Sequence, residues 1–422
     1  MNRLNQNILE KPLEELLRDR EALAIRNRTL ADAYHQKPFR HQVRRYLLNF
    51  LANAYVPPSR RAGVTDRILL IRPDHVGDVL LMTPAIRKLR ELYPHTEIHA
   101  LVGPWAGSVL SNFDEVDLVL TIEFPGFTRE AKDGDWRSPY RFAVQTSRRL
   151  RRIGYAKAII FRPDHWWGAW LARLTGIPVR IGYDDEDTSL FLTDNIPRRD
   201  DHAVAQNMAL VSDLSEKKLP TDYESAKLHF PLSELDTAYV RGYLSEWDIA
   251  DGDRIFCIHP GSGTKIKQWD NDKWAQTADI LSEQLDATTV FTGSATEYAQ
   301  IQEIGTRMEK PFITTAGDTD IGQLAALYNR AQVVIGPDSG PMHIAIASGT
   351  PTVTLFGPAD PAEFGPWGDP RKHAMLATDI KCRPCRILDW VNDDPRYHPC
   401  VRDITVTQVL TAARLAASYK TG

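Results

Sequence analysis

Short, unbroken apolar runs alternate with longer amphipathic stretches over most of this chain. The first run, Arg67-Ile-Leu-Leu-Ile-Arg72, has the make-up of a parallel strand buried on both faces. A tight turn containing Gly77 follows, and 79–92 reads as a helix with Pro84 in its first turns. The pattern then predicts strands over 97–102, 116–121, 156–162 and 179–182, and helices over 105–111, 138–153 and 166–175. A polar stretch from 194 to 231 interrupts the alternation, although 202–214 has helical spacing. A second series predicts strands over 254–259, 288–292, 312–315, 333–336 and 352–356. Its helices fall at 271–285, 297–308, 321–330 and 341–348, with a last one at 407–419. Alternation of this kind implies doubly wound parallel α/β sheets. Two such halves in sequence place a ligand crevice at the C-terminal ends of their strands.

The domain boundaries follow: 1–62 is a helical extension, 63–235 a first Rossmann-like domain and 236–422 a second. In the extension, Leu9, Leu13, Leu16 and Leu17 recur at helical spacing. The stretch 41–55 mixes Arg44 and Arg45 with Tyr46, Leu47, Leu48, Phe50 and Leu51 before Pro57 and Pro58 stop any helix. Helices packed on the following domain are one reading. A basic amphipathic element touching an anionic membrane surface is the other.

Composition narrows the function. With 422 residues, 43% hydrophobic and 25% charged, the chain has the mix of a globular protein. A net charge of −4 argues against a polyanion binder, so no nucleic-acid partner is expected. No apolar run reaches the roughly 18 residues of a spanning helix. Residues 1–10 lack the apolar core of a signal peptide. Four cysteines do not make a disulfide framework, and the expected compartment is the cytoplasm. Cys382, Cys385, His398 and Cys400 offer a loosely spaced set of zinc ligands, but packed thiols are the preferred reading. No metal and no cofactor are therefore expected.

Several nucleotide signatures are absent. No Gly-Lys pair exists to end a Walker loop, and Ile266 occupies the third glycine position of a dinucleotide fingerprint. In Gly336-Pro-Asp-Ser339-Gly340 the serine stands one place too late for a nucleophile elbow.

Three strand-end constellations remain. In Arg72-Pro-Asp-His-Val-Gly-Asp78, Asp78 is placed to take a proton from an acceptor hydroxyl, or to cap a helix that starts at Val79. Asp74 and His75 read as turn residues. The tetrapeptide recurs at Arg162-Pro-Asp-His165, at the end of another strand. Nothing around it repeats, and the echo reads as coincidence. In His259-Pro-Gly-Ser-Gly-Thr-Lys-Ile-Lys-Gln-Trp269, small residues let backbone N–H groups approach an anion, and Lys265 and Lys267 offer cations for a pyrophosphate. A solvated surface loop is the alternative. In Gly336-Pro-Asp338-Ser-Gly-Pro-Met-His343, a helix N-terminus offers an anion site, with His343 in its first turn or so. Asp338 either belongs to that site or caps the helix. Glu297, after a further strand, either receives ribose hydroxyls or caps the next helix.

Taken together, these segments resemble glycosyltransferase family nine, the heptosyltransferases of lipopolysaccharide core assembly. The resemblance rests on Ile68-Leu-Leu-Ile-Arg72 with Gly77-Asp78 and Thr83-Pro-Ala-Ile86, and on Arg180-Ile-Gly-Tyr183. It continues through His259-Pro-Gly-Ser262 with Lys267-Gln-Trp269, and Asp338-Ser-Gly-Pro-Met-His343 with Leu355-Phe-Gly-Pro358. It implies a glycosyltransferase B fold, with an acceptor domain, a nucleotide-sugar domain and a central cleft between them. It also implies metal-independent transfer with inversion. By the same resemblance Asp78 is the general base, Ser262 and Lys267 contact phosphate, and Glu297 contacts ribose. Asp338, Ser339, Gly340 and His343 then form the diphosphate loop. The implied partners are a nucleotide-diphosphate sugar donor such as ADP-heptose and a glycan or glycolipid acceptor such as lipopolysaccharide core, with peripheral contact at the inner membrane. The chain departs from the family pattern at Pro73-Asp-His75 and at Arg162-Pro-Asp-His-Trp-Trp167. Two rival classes fit the same architecture: a nucleotide-sugar epimerase, and a non-catalytic nucleotide-sugar-binding protein.

Overall fold

The computed structural model describes residues 11–36, 39–59, 66–127, 136–215, 219–388, 390 and 393–420. Leu9 of the expected first helix lies outside them. The chain forms two compact units, one of Lys37–Ala226 and one of Met1–Gln36 with Lys227–Gly422.

The Lys37–Ala226 unit is built on six parallel strands: β1 (Arg67–Arg72), β2 (Glu97–Val102), β3 (Leu118–Thr121), β4 (Lys157–Ile160), β5 (Val179–Tyr183) and β6 (Asp194–Ile196). Their order across the sheet is β3-β2-β1-β4-β5-β6. Ile68, Leu69, Leu70 and Ile71 of β1 have no exposed surface, which is why this strand is an unbroken apolar run. Register places Ile71 of β1 beside Ile160 of β4, so the two strands end side by side. The chain beyond β1 differs from expectation. The helix begins at Val76, ends at Leu81, and a second helix runs from Thr83 to Leu92. Pro84 lacks an N–H and cannot continue the ladder. The Thr83 hydroxyl donates instead to the carbonyl of Leu80 at 2.8 Å.

The other unit repeats the plan with β7 (Ile255–Ile258), β8 (Thr288–Phe291), β9 (Phe312–Thr314), β10 (Val334–Pro337), β11 (Thr352–Phe356) and β12 (His373–Ala377). All pairings are parallel, in the order β12-β11-β10-β7-β8-β9. In each sheet the strand order thus reverses between its first and fourth strands, with all strands parallel, the kind of place where α/β sheets bind ligands.

The N-terminal extension is shared between the two units. Helices Leu13–Arg18 and Arg20–His35 belong with the C-terminal residues. Asp19 joins them by accepting from the N–H groups of Glu21 and Ala22. Arg26 makes two 3.0 Å bonds to Asp393 and lies 3.8 Å over the ring of Tyr397. The next helix, Phe39–Asn53, buries Leu48 in the core of the Lys37–Ala226 unit. Its Arg44 and Arg45 pair with Asp187 and Glu186, while Tyr46 and Phe50 stay exposed. No helix among the described residues is long and apolar enough to cross a membrane.

Candidate active site

Seven of the eight expected site residues follow the C-terminal ends of β7, β8 and β10. Lys267 ends a single 3-10 turn after β7. Its Nζ stands 2.6 Å from Asp338 Oδ2 and 3.3 Å from the Asp338 carbonyl oxygen. Asp338 is anchored by its own N–H, which donates to Leu355 O on the neighbouring strand. The carboxylate therefore holds a lysine and does not cap the next helix. The residue before Gly340–Ala347 is Ser339, and no side chain caps that helix. Its first turn remains an N-terminus with anion affinity. Ser339 Oγ and His343 Nδ1 are buried without a hydrogen-bond partner. Burial pushes the His343 pKa down despite nearby Asp338, so the imidazole is neutral near pH 7.

Ser262 turns back on its own loop. Its hydroxyl donates to Thr264 O at 3.1 Å and accepts from Thr264 N at 3.3 Å. Glu297 closes a capping box, accepting from Ser294 N at 2.7 Å and Ser294 Oγ at 2.8 Å through Oε2. Its other oxygen lies against Gly261, where any Cβ would collide with it. The glycine thus makes room for a carboxylate neighbour. Beneath this loop, His259 Nδ1 meets Thr292 Oγ1 at 3.2 Å, and Thr292 meets the Tyr328 hydroxyl at 2.9 Å.

Asp78 belongs to the other unit, after β1. Because its helix starts at Val76 with His75 as the N-cap, Asp78 lies inside the first turn and is not the cap. Its side chain is 30% exposed, and Arg72 Nη2 donates to its Oδ1 at 3.2 Å. Arg72 is itself buried, and its Nε makes an ion pair with Asp74 Oδ2 at 2.6 Å. Arg162 also donates to Asp74 and reaches Asp164 at 2.6 Å. Burial works against the Asp74 charge, but Arg72 and Arg162 outweigh it and hold the carboxyl below its ordinary range. His165 packs against Phe124, Phe127 and Trp167, with neither ring nitrogen bonded. Burial pushes its pKa down to about 3.

Asp74 and His75 lie in the turn between β1 and the helix at Val76, as their spacing predicts, while the recurrence at Arg162-Pro-Asp-His165 reads from sequence as coincidence. The structure places the two segments on adjacent strand ends, in contact through Asp74. The recurrence itself was the signal that could have revealed this.

The C-terminal thiols are raised by burial, Cys400 to about 12. His398 Nε2 engages Asp393 at 2.9 Å and its ring lies against Trp390. Among the described residues no group of three or more His, Cys, Asp or Glu side chains is assembled for a metal ion.

The sequence model of glycosyltransferase family 9 (heptosyltransferase) matches residues 144–389. That span contains every candidate after β7, β8 and β10, and also Arg162 and His165, while Arg72 and Asp78 precede it. The chain is similar to lipopolysaccharide heptosyltransferase 3 of Escherichia coli, at 28% identity over 304 residues, covering 69% of this chain and 84% of that protein. Among solved structures it is similar to the family 9 glycosyl transferase from Veillonella parvula DSM 2008. The TM-score is 0.68 at 24% identity, covering 84% of this chain and 98% of that one. It is also similar to the E. coli ADP-heptose lps heptosyltransferase II, with a TM-score of 0.64 at 22% identity, covering 83% and 98% of the two chains.

Proposed function

Because this chain belongs to glycosyltransferase family 9, the heptosyltransferases, and is thus a glycosyltransferase, we propose that it moves heptose from ADP-heptose to a hydroxyl of a lipopolysaccharide core acceptor with inversion at the anomeric carbon. The observation that carries the donor assignment is the Lys267–Asp338 pair beside the uncapped helix at Gly340, both at the reversal point of one sheet. Lysine and helix N-terminus together provide positive potential for a diphosphate. In this reading Asp338 aims the ammonium, Glu297 receives a ribose hydroxyl, and Ser262, Ser339 and His343 line the phosphate path.

The reaction is one displacement. The acceptor oxygen attacks C1 as the bond from C1 to the phosphate oxygen breaks. Asp78 takes the acceptor proton, and the nucleotide diphosphate leaves with the bonding electron pair. Lys267 and the helix at Gly340 stabilise its developing charge, an electrostatic contribution of the kind worth roughly 2.7–4 kcal/mol per donor.

An assay with ADP-heptose, with and without core acceptor, tests the class. Transfer that requires acceptor is the expected result. Epimerised sugar formed from donor alone overturns it. Asp78→Ala is expected to cut turnover by about 10²–10⁴-fold while ADP still binds. Parental turnover in that variant removes Asp78 as the base.

The acceptor reading extends to peripheral contact with the cytoplasmic face of the inner membrane. Tyr46 is 80% exposed, Phe50 73% and Tyr55 87%, all on or just after helix Phe39–Asn53. Exposed aromatic rings suit a lipid–water interface. The neighbouring Arg44 and Arg45 are already ion-paired, so the aromatic residues carry this reading. Flotation with anionic vesicles should be lost in a Tyr46→Ser, Phe50→Ser, Tyr55→Ser variant; equal flotation removes this contact.

A further inference from the structure

The reading of Asp78 as base leaves open what holds it, and the repeated tetrapeptide supplies an answer. Arg72 and Arg162 stand at the ends of β1 and β4 and share the carboxylate of Asp74, which is only 5% exposed. Arg72 is the better buried of the two arginines, with 7% of its side chain exposed against 33% for Arg162. Its Nη1 donates to the Phe161 carbonyl and to Asn207 Oδ1, and Asn207 in turn donates to Leu81 O at 3.1 Å. The Asp74 turn is pinned separately by Trp105 Nε1, which donates to the Asp74 carbonyl at 2.9 Å. The guanidinium plane is thus fixed from both strand ends and from the helix Ala203–Ser212. One edge of that fixed plane reaches Asp78.

We propose that Arg72 is a positioning residue for Asp78, and that Arg162 acts behind it by sharing Asp74, so the two Arg-Pro-Asp-His segments work as one clasp. The proposal rests on Asp78 being the base. A planar fork suits the role because it can serve Asp74 and Asp78 at once, whereas an ammonium is a single compact charge. The fork keeps Asp78 aimed, and a misaimed base slows chemistry without changing how tightly the donor binds. Arg72 therefore does its work on Asp78, one contact removed from the acceptor hydroxyl.

The test compares Arg72→Lys, Arg162→Gln, Arg162→Lys and Asp78→Ala in the full chain. Turnover, donor KM and the pH dependence of kcat are followed with ADP-heptose and acceptor. Thermal melting and ADP affinity check folding. Arg72→Lys should lose about a hundredfold in kcat at unchanged donor KM. The acid limb of its pH profile should move to higher pH, because the carboxylate loses the contact that favours its charged form. Arg162→Gln should show the same two changes at about a tenth the size, with Arg162→Lys partly restoring both. Arg72→Lys with parental kcat and pH profile, alongside an inactive Asp78→Ala, overturns the clasp and spares the base. An active Asp78→Ala overturns the base reading and the clasp with it. If Arg72→Lys does not fold, a parental kcat and pH profile in Arg162→Gln is sufficient to overturn the proposal.

Discussion

Lys267 and Asp338 form an ion pair of 2.6 Å with 14% and 7% of their side chains exposed. Removing one member of so buried a pair leaves an uncompensated charge, which is costlier than losing the pair as a whole. Lys267→Ala is therefore expected to lower stability by about 3 kcal/mol and to weaken ADP binding. Adding Asp338→Asn should return much of the stability but none of the turnover. Chemical denaturation and ADP titration of the single and double variants distinguish these effects; recovered turnover in the double variant contradicts the assignment.

Gly261 and Glu297 depend on each other in a different way. Any side chain at Gly261 displaces the end of a flexible carboxylate, not backbone. Gly261→Ala should consequently melt close to the parent, yet raise donor KM by about tenfold or more, the scale of one hydrogen bond to a charged group. Glu297→Gln should move KM in the same direction. A Gly261→Ala protein with normal KM would separate the glycine from ribose recognition.

His165 gives a pH prediction. Its folded pKa lies near 3, well below the ordinary 6.5, because burial opposes the charged ring. The unfolded chain then binds more protons between those values. Stability from this residue is complete above about pH 6.5 and is lost as pH falls toward 3, at up to about 1.4 kcal/mol per unit. Buried His259, His343 and His373 act with the same sign. His165→Leu should thus flatten, without abolishing, the fall in urea midpoint between about pH 6.5 and pH 4. An unchanged slope argues against the neutral, buried ring.

Much of the scaffold was legible because its elements carry their own signals. Helices Ser138–Ile153, Asn271–Leu285 and Ile321–Arg330, and strand β11, begin and end where apolar periodicity places them. Strands β6 and β12 were not anticipated: Asp194–Ile196 is short and polar, and His373–Ala377 is an edge strand defined by its pairing with β11. Helix Glu234–Ser245 has no counterpart among the predicted elements, although Ser233 caps it. The candidates after β7, β8 and β10 share a sheet end as motif spacing suggested. What spacing did not convey is which charges meet: that Asp338 answers Lys267, or that Asp74 answers two arginines. Those meetings depend on strands adjacent in space and distant in sequence.

The contact of Arg26 with Asp393 joins residues 367 positions apart. During synthesis from the N-terminus, Leu16 and Leu23 emerge long before Tyr397 and its neighbours exist to cover them. The continuous Lys37–Ala226 unit has all its strands available once Ala226 is made, whereas the other waits for β12 and the residues around Tyr397. Ribosomes that stop between Ala226 and Tyr397 release helices Leu13–Arg18 and Arg20–His35 without the surface they pack on, so the truncated product leaves Leu16 and Leu23 uncovered.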